Sequence, residues 1–360
     1  MEFSLTPDQK MMQESLSRTL AVASPLERVR AFAGDLSDTG GDVWRAMAEF
    51  GLTGIGVPEA SGGLGLGLLD AALASEALGA AAAPVPLLGI VLAPIALLRG
   101  GSADQQAAWL AKLASGEVQA AVAISEAVAG ARDGAGVTAR GGKLNGKALF
   151  VAGGLAADLL VVGDVSGGLH LVAGDAAGLA RAFMPGLDET RRLAELTFDD
   201  VAAEPLGGPE LVSALRDAAW VLIAADTLGA AQTMLDKAVA YAKERRQFGR
   251  VIGSFQAVKH LCAEMAAELE PCRSLVWYAA YAFDAGVPDA SLMAAHAKAL
   301  TSEVGRFVAR TATEVHGGMG ITDLLGLHFW FKRIGLNRQL LGGPERGREI
   351  AARLQGLIPA

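Results

Sequence analysis

The sequence predicts an α+β protein with an N-terminal α-helical domain over residues 1–117, a small antiparallel β domain over 118–208, and a C-terminal four-helix bundle over 209–360. Three observations support this order. Apolar residues recur at helical spacing in the first and last thirds of the chain. The middle third consists of short apolar runs separated by glycines, which is typical of strands. The last third holds long periodic segments joined by short turns, which indicates an antiparallel bundle.

The first helix is predicted to begin at Ser4–Leu5–Thr6–Pro7, where a capping residue is followed by a proline in the first turn. Two further helical segments are predicted over 68–83 and 103–114, and the second opens with Ser102 and Asp104. Between them, residues 77–98 carry no charge and are long enough to cross a membrane. Prolines 84, 86 and 94 divide this stretch, so a buried loop between two core helices is predicted instead.

The middle domain is marked by five short apolar runs. Gly141–Gly142 and Gly167–Gly168 are predicted hairpin turns. Such runs and turns predict a small antiparallel sandwich or barrel. The runs are Ala120–Ile124, Ala148–Ala152, Leu159–Val165, Leu169–Val172 and Leu196–Val201.

The bundle is predicted from three periodic segments over 211–244, 255–284 and 288–316. The last two are separated by the turn at residues 286–289. This architecture is not a doubly wound sheet, and no glycine-rich dinucleotide fingerprint follows a strand.

Composition excludes several functional classes. With 31 basic and 39 acidic residues the net charge is -8, which argues against nucleic-acid binding. Cys262 and Cys272 lie on one predicted helix and provide neither a disulfide framework nor a metal site. This cysteine usage suits a reducing cytosol, and the start, Met1–Ser4, lacks the basic and apolar regions of a signal peptide, so a cytoplasmic protein is expected.

Two motifs in the last third suit a phosphate-bearing cofactor. The first runs from Glu244 to Gly249 (ERRQFG) and continues through residues 252–256, and the second is 316–320 (HGGMG). Arginine at 245 is a permanently charged, planar donor that suits phosphate. Glutamines at 247 and 256 add amide donors and acceptors. Glycines at 317 and 318 would let backbone N–H groups approach a ligand closely.

Each of these residues also has a simpler interpretation. Arg245 could be a solvated cation at a helix end, since a helix C-terminus favours positive charge. Phe248 could be a core anchor, and the glycine pair could be an ordinary helix stop. Because all of them occur together between long helices, the cofactor interpretation is favoured.

The domain order and four segments resemble the FAD-dependent acyl-CoA dehydrogenase family over essentially the whole chain. The corner formed by residues 244–256 and the glycine pair are the most specific of these segments. The resemblance implies an FAD shared across a subunit interface, with Arg245, Gln247, Phe248, Gln256, Gly317, Gly318, Ser125 and Phe150 as cofactor-binding residues. The four segments are 56–59 with 62–65, Ser125–Glu126 followed by Gly130, residues 144–147 leading to Phe150–Val151, and the corner with its glycine pair.

The same resemblance implies a catalytic carboxylate at one of two positions, and both lack one. The late position falls on Leu341 and the early position on Ala219, while Trp220 replaces the arginine expected beside the early position. Without a positioned base the reaction is expected to lose roughly 10²–10⁴ in rate. Asp217 is the best substitute acid, but it lies two residues, about 200°, around the helix from Ala219.

Three functional hypotheses follow. The first is a base-less subunit that pairs with a homologous catalytic subunit and completes its FAD site. The second is a homo-oligomeric acyl-CoA dehydrogenase that uses an unusual base such as Asp217. The third is a structural or regulatory homologue that binds no flavin. Under the first two hypotheses the family implies an acyl-CoA substrate and an electron-transferring flavoprotein as electron acceptor, with no membrane span and no metal.

Overall fold

The computed structural model describes residues 4–132 and 134–359, so Met1–Phe3 lie outside the described residues. The N-terminal region is helical, as predicted. Thr6 accepts a hydrogen bond from the backbone N–H of Gln9 at 3.1 Å, and Ser102 caps its own helix in the same way. These caps occupy orphan N–H groups of the first turn. The six helices are α1 Pro7–Ala23, α2 Leu26–Gly34, α3 Gly41–Phe50, α4 Leu68–Ala80, α5 Leu87–Gly100 and α6 Ala103–Ser115.

The uncharged stretch over 77–98 is divided between α4, a six-residue connection and α5. Pro84 and Pro86 lie in the connection, as expected. Pro94 was expected to break the chain, and this was wrong, because it lies buried inside α5. Packing of α5 against its neighbours offsets the backbone hydrogen bond that a proline removes. Within the described ranges, no helix is both long and apolar enough to cross a membrane.

The middle region forms two four-stranded sheets that pack around an apolar core of their own. Their strand orders are β1-β4-β5-β8 and β2-β3-β7-β6. All pairs are antiparallel, as predicted, except that β1 runs parallel to β4. That pair differs because the chain passes through a short helix, α7 Ser125–Ala129, and two strands of the other sheet before it returns. The strands are β1 Ala120–Ala123, β2 Gly136–Arg140, β3 Lys143–Ala152, β4 Leu159–Gly163, β5 Leu169–Ala173, β6 Leu179–Met184, β7 Leu193–Ala202 and β8 Glu204–Gly207.

The C-terminal region is the predicted bundle. Three long helices, α8 Pro209–Glu244, α9 Gln256–Ala285 and α10 Ala290–His316, pack with α11 Leu327–Gln339, and α12 Pro344–Leu354 lies against α10. A small hairpin of β9 Arg246–Gln247 and β10 Arg250–Val251 joins α8 to α9.

Two glycines let α4 and α8 approach closely. A Cβ added at Gly79 would lie 2.1 Å from the backbone oxygen of Asp226, and one at Gly229 would lie 1.9 Å from that of Glu76. Only residues without a side chain fit such a contact. One apolar core extends from α1 through α5 into α8, so the N-terminal helices and the bundle are packed as one body. Domain boundaries at residues 117 and 208 therefore stay predictions.

Candidate cofactor corner and base positions

The corner between α8 and α9 projects from the bundle. Arg245, Gln247 and Gln256 are exposed, and the Phe248 side chain is 92% exposed. Phe248 has a left-handed backbone (φ +50°), and its ring meets the edge of Phe255 at 6.2 Å. A large apolar ring held in the open by a strained backbone is typical of a binding surface. The core-anchor interpretation of Phe248 does not fit this exposure.

The polar groups of the corner make few contacts within the chain. Gln247 Nε2 donates to the neighbouring Arg246 backbone oxygen at 2.8 Å, and Gln256 Nε2 lies 3.5 Å from His260 Nε2. Within residues 4–132 and 134–359, no ion pair involves Arg245. Residues 243–259 hold five lysines and arginines against one glutamate, on a chain that is acidic overall. This local excess favours an anionic ligand.

The glycine pair lies at the end of α10. Gly317 has φ +59° and ψ −140°, a conformation that disfavours a side chain, and both glycines are exposed. A Cβ added at Gly317 or Gly318 would meet nothing within 4 Å, so the space beside this backbone is open. The Tyr241 ring stacks on His316 at 4.7 Å and joins the last turns of α8 and α10. The fold thus brings the predicted arginine–glutamine corner and the glycine pair to the ends of two packed helices.

Trp220 directly follows the early predicted base position, Ala219, and contacts the late position, Leu341. Ala219 and Trp220 are fully buried on α8, and Leu341 is buried just after α11 with φ +57°. Trp220 Nε1 donates to the backbone oxygen of Leu341 at 2.9 Å. The indole therefore joins α8 to the segment that follows α11 at the late position, a contact that the sequence did not reveal.

Little space remains beside Leu341. Ser125, Phe150 and Leu341 line a cavity of about 80 Å³ and a cleft of about 10 Å³. Small-molecule sites usually measure roughly 300–1,000 Å³, so neither space accommodates a three-ring flavin. The cofactor roles of Ser125 and Phe150 stay predictions.

Two buried carboxyl groups lie near these positions. Glu126 lines the 80 Å³ cavity, its Oε1 accepts from the Leu149 backbone N–H at 3.0 Å, and burial raises its pKa. Asp217 lines neither the cavity nor the cleft. One of its oxygens accepts from Arg216 and the other from Ser291 Oγ at 2.5 Å, while burial raises its pKa. Asp217 is therefore directed toward the start of α10.

A buried ionic network lies behind the base positions. Asp226 on α8 pairs with Arg333 of α11 at 2.6 Å and with Arg191, just before β7, at 2.8 Å. Burial alone would raise the pKa of Asp226, but the two guanidinium groups lower it to about 2. The network joins the β region to the bundle through one carboxylate, and sequence patterns did not indicate it.

Lys298 is fully buried on α10, and its Nζ donates to the backbone oxygens of Asn337 and Arg338 in the last turn of α11. Capping by a lysine satisfies carbonyl groups that a helix end leaves open. Burial, together with the positive charges of Arg338 and Arg191, lowers the pKa of Lys298 to about 7.

Lys298→Met is expected to flatten the pH dependence of stability. The ordinary lysine pKa of 10.5 applies in the unfolded chain, so the unfolded state holds more protons between pH 7 and 10. Wild-type stability should therefore rise over this range by on the order of a few kcal/mol. Urea unfolding at pH 7, 8, 9 and 10 measures the slope, and exposed Lys243→Met serves as the control. Parallel slopes for Lys298→Met and wild type would contradict the expectation.

Comparison with known proteins identifies the family. The family model described as acyl-CoA dehydrogenase, N-terminal domain, matches residues 6–117, and the model for the C-terminal domain matches 216–355. The chain therefore belongs to the acyl-CoA dehydrogenase family. It is 34% identical to acyl-CoA dehydrogenase IpdE2 of Mycobacterium tuberculosis, over 98% of this chain and 99% of that protein.

Two solved structures have the same fold. The ChsE4–ChsE5 complex from Mycobacterium tuberculosis matches with a TM-score of 0.91 and 26% identity, over 100% of both chains. The FAD complex of PigA matches with a TM-score of 0.88 and 25% identity, over 99% of this chain and 100% of that one. These comparisons confirm the predicted resemblance and fold class.

Proposed function

We propose that this chain is a subunit of an FAD-dependent acyl-CoA dehydrogenase complex that lends its exposed corner to the flavin site of a homologous catalytic subunit. The observation that carries the proposal is the contrast between the two sites. Among the described residues, the corner is exposed and basic and Arg245 has no ion partner, whereas leucine and alanine occupy the predicted base positions 341 and 219 and Trp220 binds the Leu341 backbone. A chain that keeps the cofactor-binding residues and lacks the catalytic carboxylate is suited to completing the cofactor site of a neighbouring subunit.

The corner residues fit an FAD held from outside the chain. Arg245 would bind a phosphate oxygen by a charge-assisted hydrogen bond. Gln247 and Gln256 would form hydrogen bonds with polar edges of the FAD, and the Phe248 ring would cover an apolar face of it. The open backbone at Gly317–Gly318 would donate N–H groups to the same cofactor. When bound, FAD supplies the acceptor for the hydride that leaves the β carbon of an acyl-CoA.

Several observations favour a heteromeric assembly. The ChsE4–ChsE5 structure, to which this chain is similar, is a complex of two differently named chains, and this supports an arrangement of the present chain beside another one. In this chain the space at Leu341 is about 80 Å³, so the substrate and the reacting part of the flavin would be bound by the partner. An electron-transferring flavoprotein would accept the electrons from that partner.

Co-expression with a homologous chain from the same gene neighbourhood tests the proposal. We expect one stable complex that holds flavin and oxidises an acyl-CoA in a dye-linked assay, while the chain alone is slow. Native mass spectrometry gives the stoichiometry, and absorbance gives flavin per chain. A flavin-replete homo-oligomer of this chain with fast turnover would contradict the proposal.

A homo-oligomer using Asp217 as base is the second candidate, since that carboxyl is buried with a raised pKa. In that case Asp217→Asn would abolish activity of the chain alone and leave flavin bound. If the chain alone is slow, the same substitution has no activity to remove, so the two candidates give different results.

A further inference from the structure

The cofactor corner and the glycine pair are each fixed to the end of their own helix. The Ile252 N–H donates to the backbone oxygen of Arg245 at 2.7 Å, so the corner folds back on the end of α8. The short turn over residues 317–321 lies equally close to α10, because a Cβ added at Gly320 would lie 2.6 Å from the backbone oxygen of Thr313. Each element therefore moves with its helix end.

No direct bond sets the distance between the two elements. Among the described residues, no hydrogen bond or ion pair joins residues 244–256 to residues 317–321. Their separation therefore depends on how the ends of α8 and α10 pack. These ends meet at the rings of Tyr241 and His316, which stack with centroids 4.7 Å apart and an interplanar angle of 29°.

The two rings adjoin the residues that would contact the cofactor. The backbone oxygen of Tyr241 accepts from the Arg245 N–H at 2.8 Å, and His316 directly precedes Gly317. One hydrogen bond and one peptide bond thus connect the stacked rings to the two cofactor-binding elements. A shift of either ring would move the Arg245 guanidinium relative to the open backbone of the glycine pair.

A hydrogen bond holds the His316 ring in one orientation. Its Nδ1 lies 2.7 Å from the backbone oxygen of Ala312, and because a carbonyl oxygen only accepts, Nδ1 carries the hydrogen. The ring is buried, and this burial lowers the pKa of His316, so the imidazole is uncharged near neutral pH. Half-buried Tyr241 therefore packs against a fixed, uncharged ring.

We propose that Tyr241 and His316 are positioning residues, which hold Arg245 and the glycine pair at the separation that lets both bind the phosphates of one FAD. The inference rests on the proposed function, in which that FAD belongs to the partner subunit's site. Neither ring has to touch the cofactor. Two contacts held at a fixed spacing bind one ligand more tightly than the same contacts on mobile elements, because less freedom is lost on binding.

Titration of the flavin-free complex with FAD, followed by the fluorescence of the flavin, tests the role of Tyr241. Tyr241→Leu removes the flat ring and should weaken FAD binding about threefold to tenfold, as expected for the loss of an aromatic pair. Tyr241→Phe keeps the ring and should bind within about twofold of wild type. Tyr281→Leu is the matched control, because Tyr281 is an exposed ring paired with Tyr278 at the opposite end of α9 from the corner.

His316→Leu removes the other ring and should weaken FAD binding to a similar extent. The double variant should bind FAD within about twofold of the weaker single variant, because the stack is already lost in each. Losses that multiply in the double variant would show that the rings act separately and would overturn the inference. Thermal unfolding of each variant ensures that folded complexes are compared, and the Tyr241 pair of variants alone decides the result if His316→Leu does not fold.

Two further outcomes would also contradict the inference. One is equal FAD affinity in Tyr241→Leu and wild type, and the other is an equal loss in Tyr241→Leu and Tyr241→Phe, which would assign the effect to the hydroxyl group. Arg245→Ala separates this inference from the proposed function. If Arg245→Ala weakens FAD binding and Tyr241→Leu does not, the positioning role alone is wrong, whereas unchanged binding in Arg245→Ala would contradict the proposed function itself.

Discussion

Arg245→Ala is expected to release most of the flavin from the assembled complex during gel filtration. A hydrogen bond to a charged group contributes about 1.5–3 kcal/mol, so its loss weakens binding roughly tenfold to a hundredfold. The substitution should leave the fold intact, because the side chain is exposed and forms no ion pair within the described ranges. Flavin absorbance per protein before and after filtration measures the loss. Gln256→Ala removes a neutral amide and should cost less, about 1 kcal/mol.

Glu244→Ala is the matched control, since it removes an exposed charge from the adjacent residue. It should retain at least as much flavin as wild type, because it takes a negative charge away from the cofactor phosphates. Equal flavin retention in wild type, Arg245→Ala and Gln256→Ala would contradict the proposal that the corner binds flavin.

Asp226→Asn is expected to lower the free energy of unfolding by about 3–5 kcal/mol, because it leaves two guanidinium groups without their shared carboxylate. Arg333 is fully buried and Arg191 is 14% exposed at its side chain. For a chain of this size the loss lowers Tm by about 4–7 °C. Wild-type stability should also fall on the acid side: the Asp226 pKa is depressed from 3.8 to about 2, so its contribution is present above pH 3.8 and lost as pH falls toward 2.

Asp236→Asn is the control that tests whether the loss of stability comes from the ion pairs of Asp226 with Arg191 and Arg333. Asp236 is exposed on the same helix, and among the described residues its side chain accepts a hydrogen bond from Gln232 alone, so its change should cost less than about 0.5 kcal/mol. Urea unfolding of both variants gives the comparison. A loss below about 1 kcal/mol for Asp226→Asn would show that the buried arginines find other partners.

Features set by neighbouring residues were predictable from the sequence. The cap at Thr6 and Pro7 depends on a single helical turn, and the long periodic segments gave the bundle. The strand β6 was missed because half of its residues are exposed, none is fully buried, and they show no apolar run. The residue types of the corner were visible in one short motif. Because this motif lies between two long periodic segments, its place at a helix end was also predictable.

Contacts between distant segments were not predictable. Trp220 and Leu341 are 121 positions apart, and Asp226 and Arg333 are 107 apart. Neither pair can be recognised from the sequence around it, since the residues that flank a buried tryptophan or arginine on a helix do not indicate which distant residue it contacts. The sequence therefore predicted that neither base position carries a carboxylate, and the structure showed that Trp220 binds the backbone of Leu341 at the late position.

The hydrogen bond between Trp220 and Leu341 also has an evolutionary consequence. An acid placed at position 341 alone would enter a small space of about 80 Å³ beside a backbone that the indole still holds, and a smaller residue at 220 alone would leave a void and an unpaired backbone oxygen. Each single step costs stability without adding a functional base at its ordinary pKa. The effects of substitutions at the two positions are therefore expected to be non-additive, and a working base at position 341 would require changes at both. Under the proposed function, in which a partner supplies the base, this coupling acts as a ratchet that keeps the two chains mutually dependent.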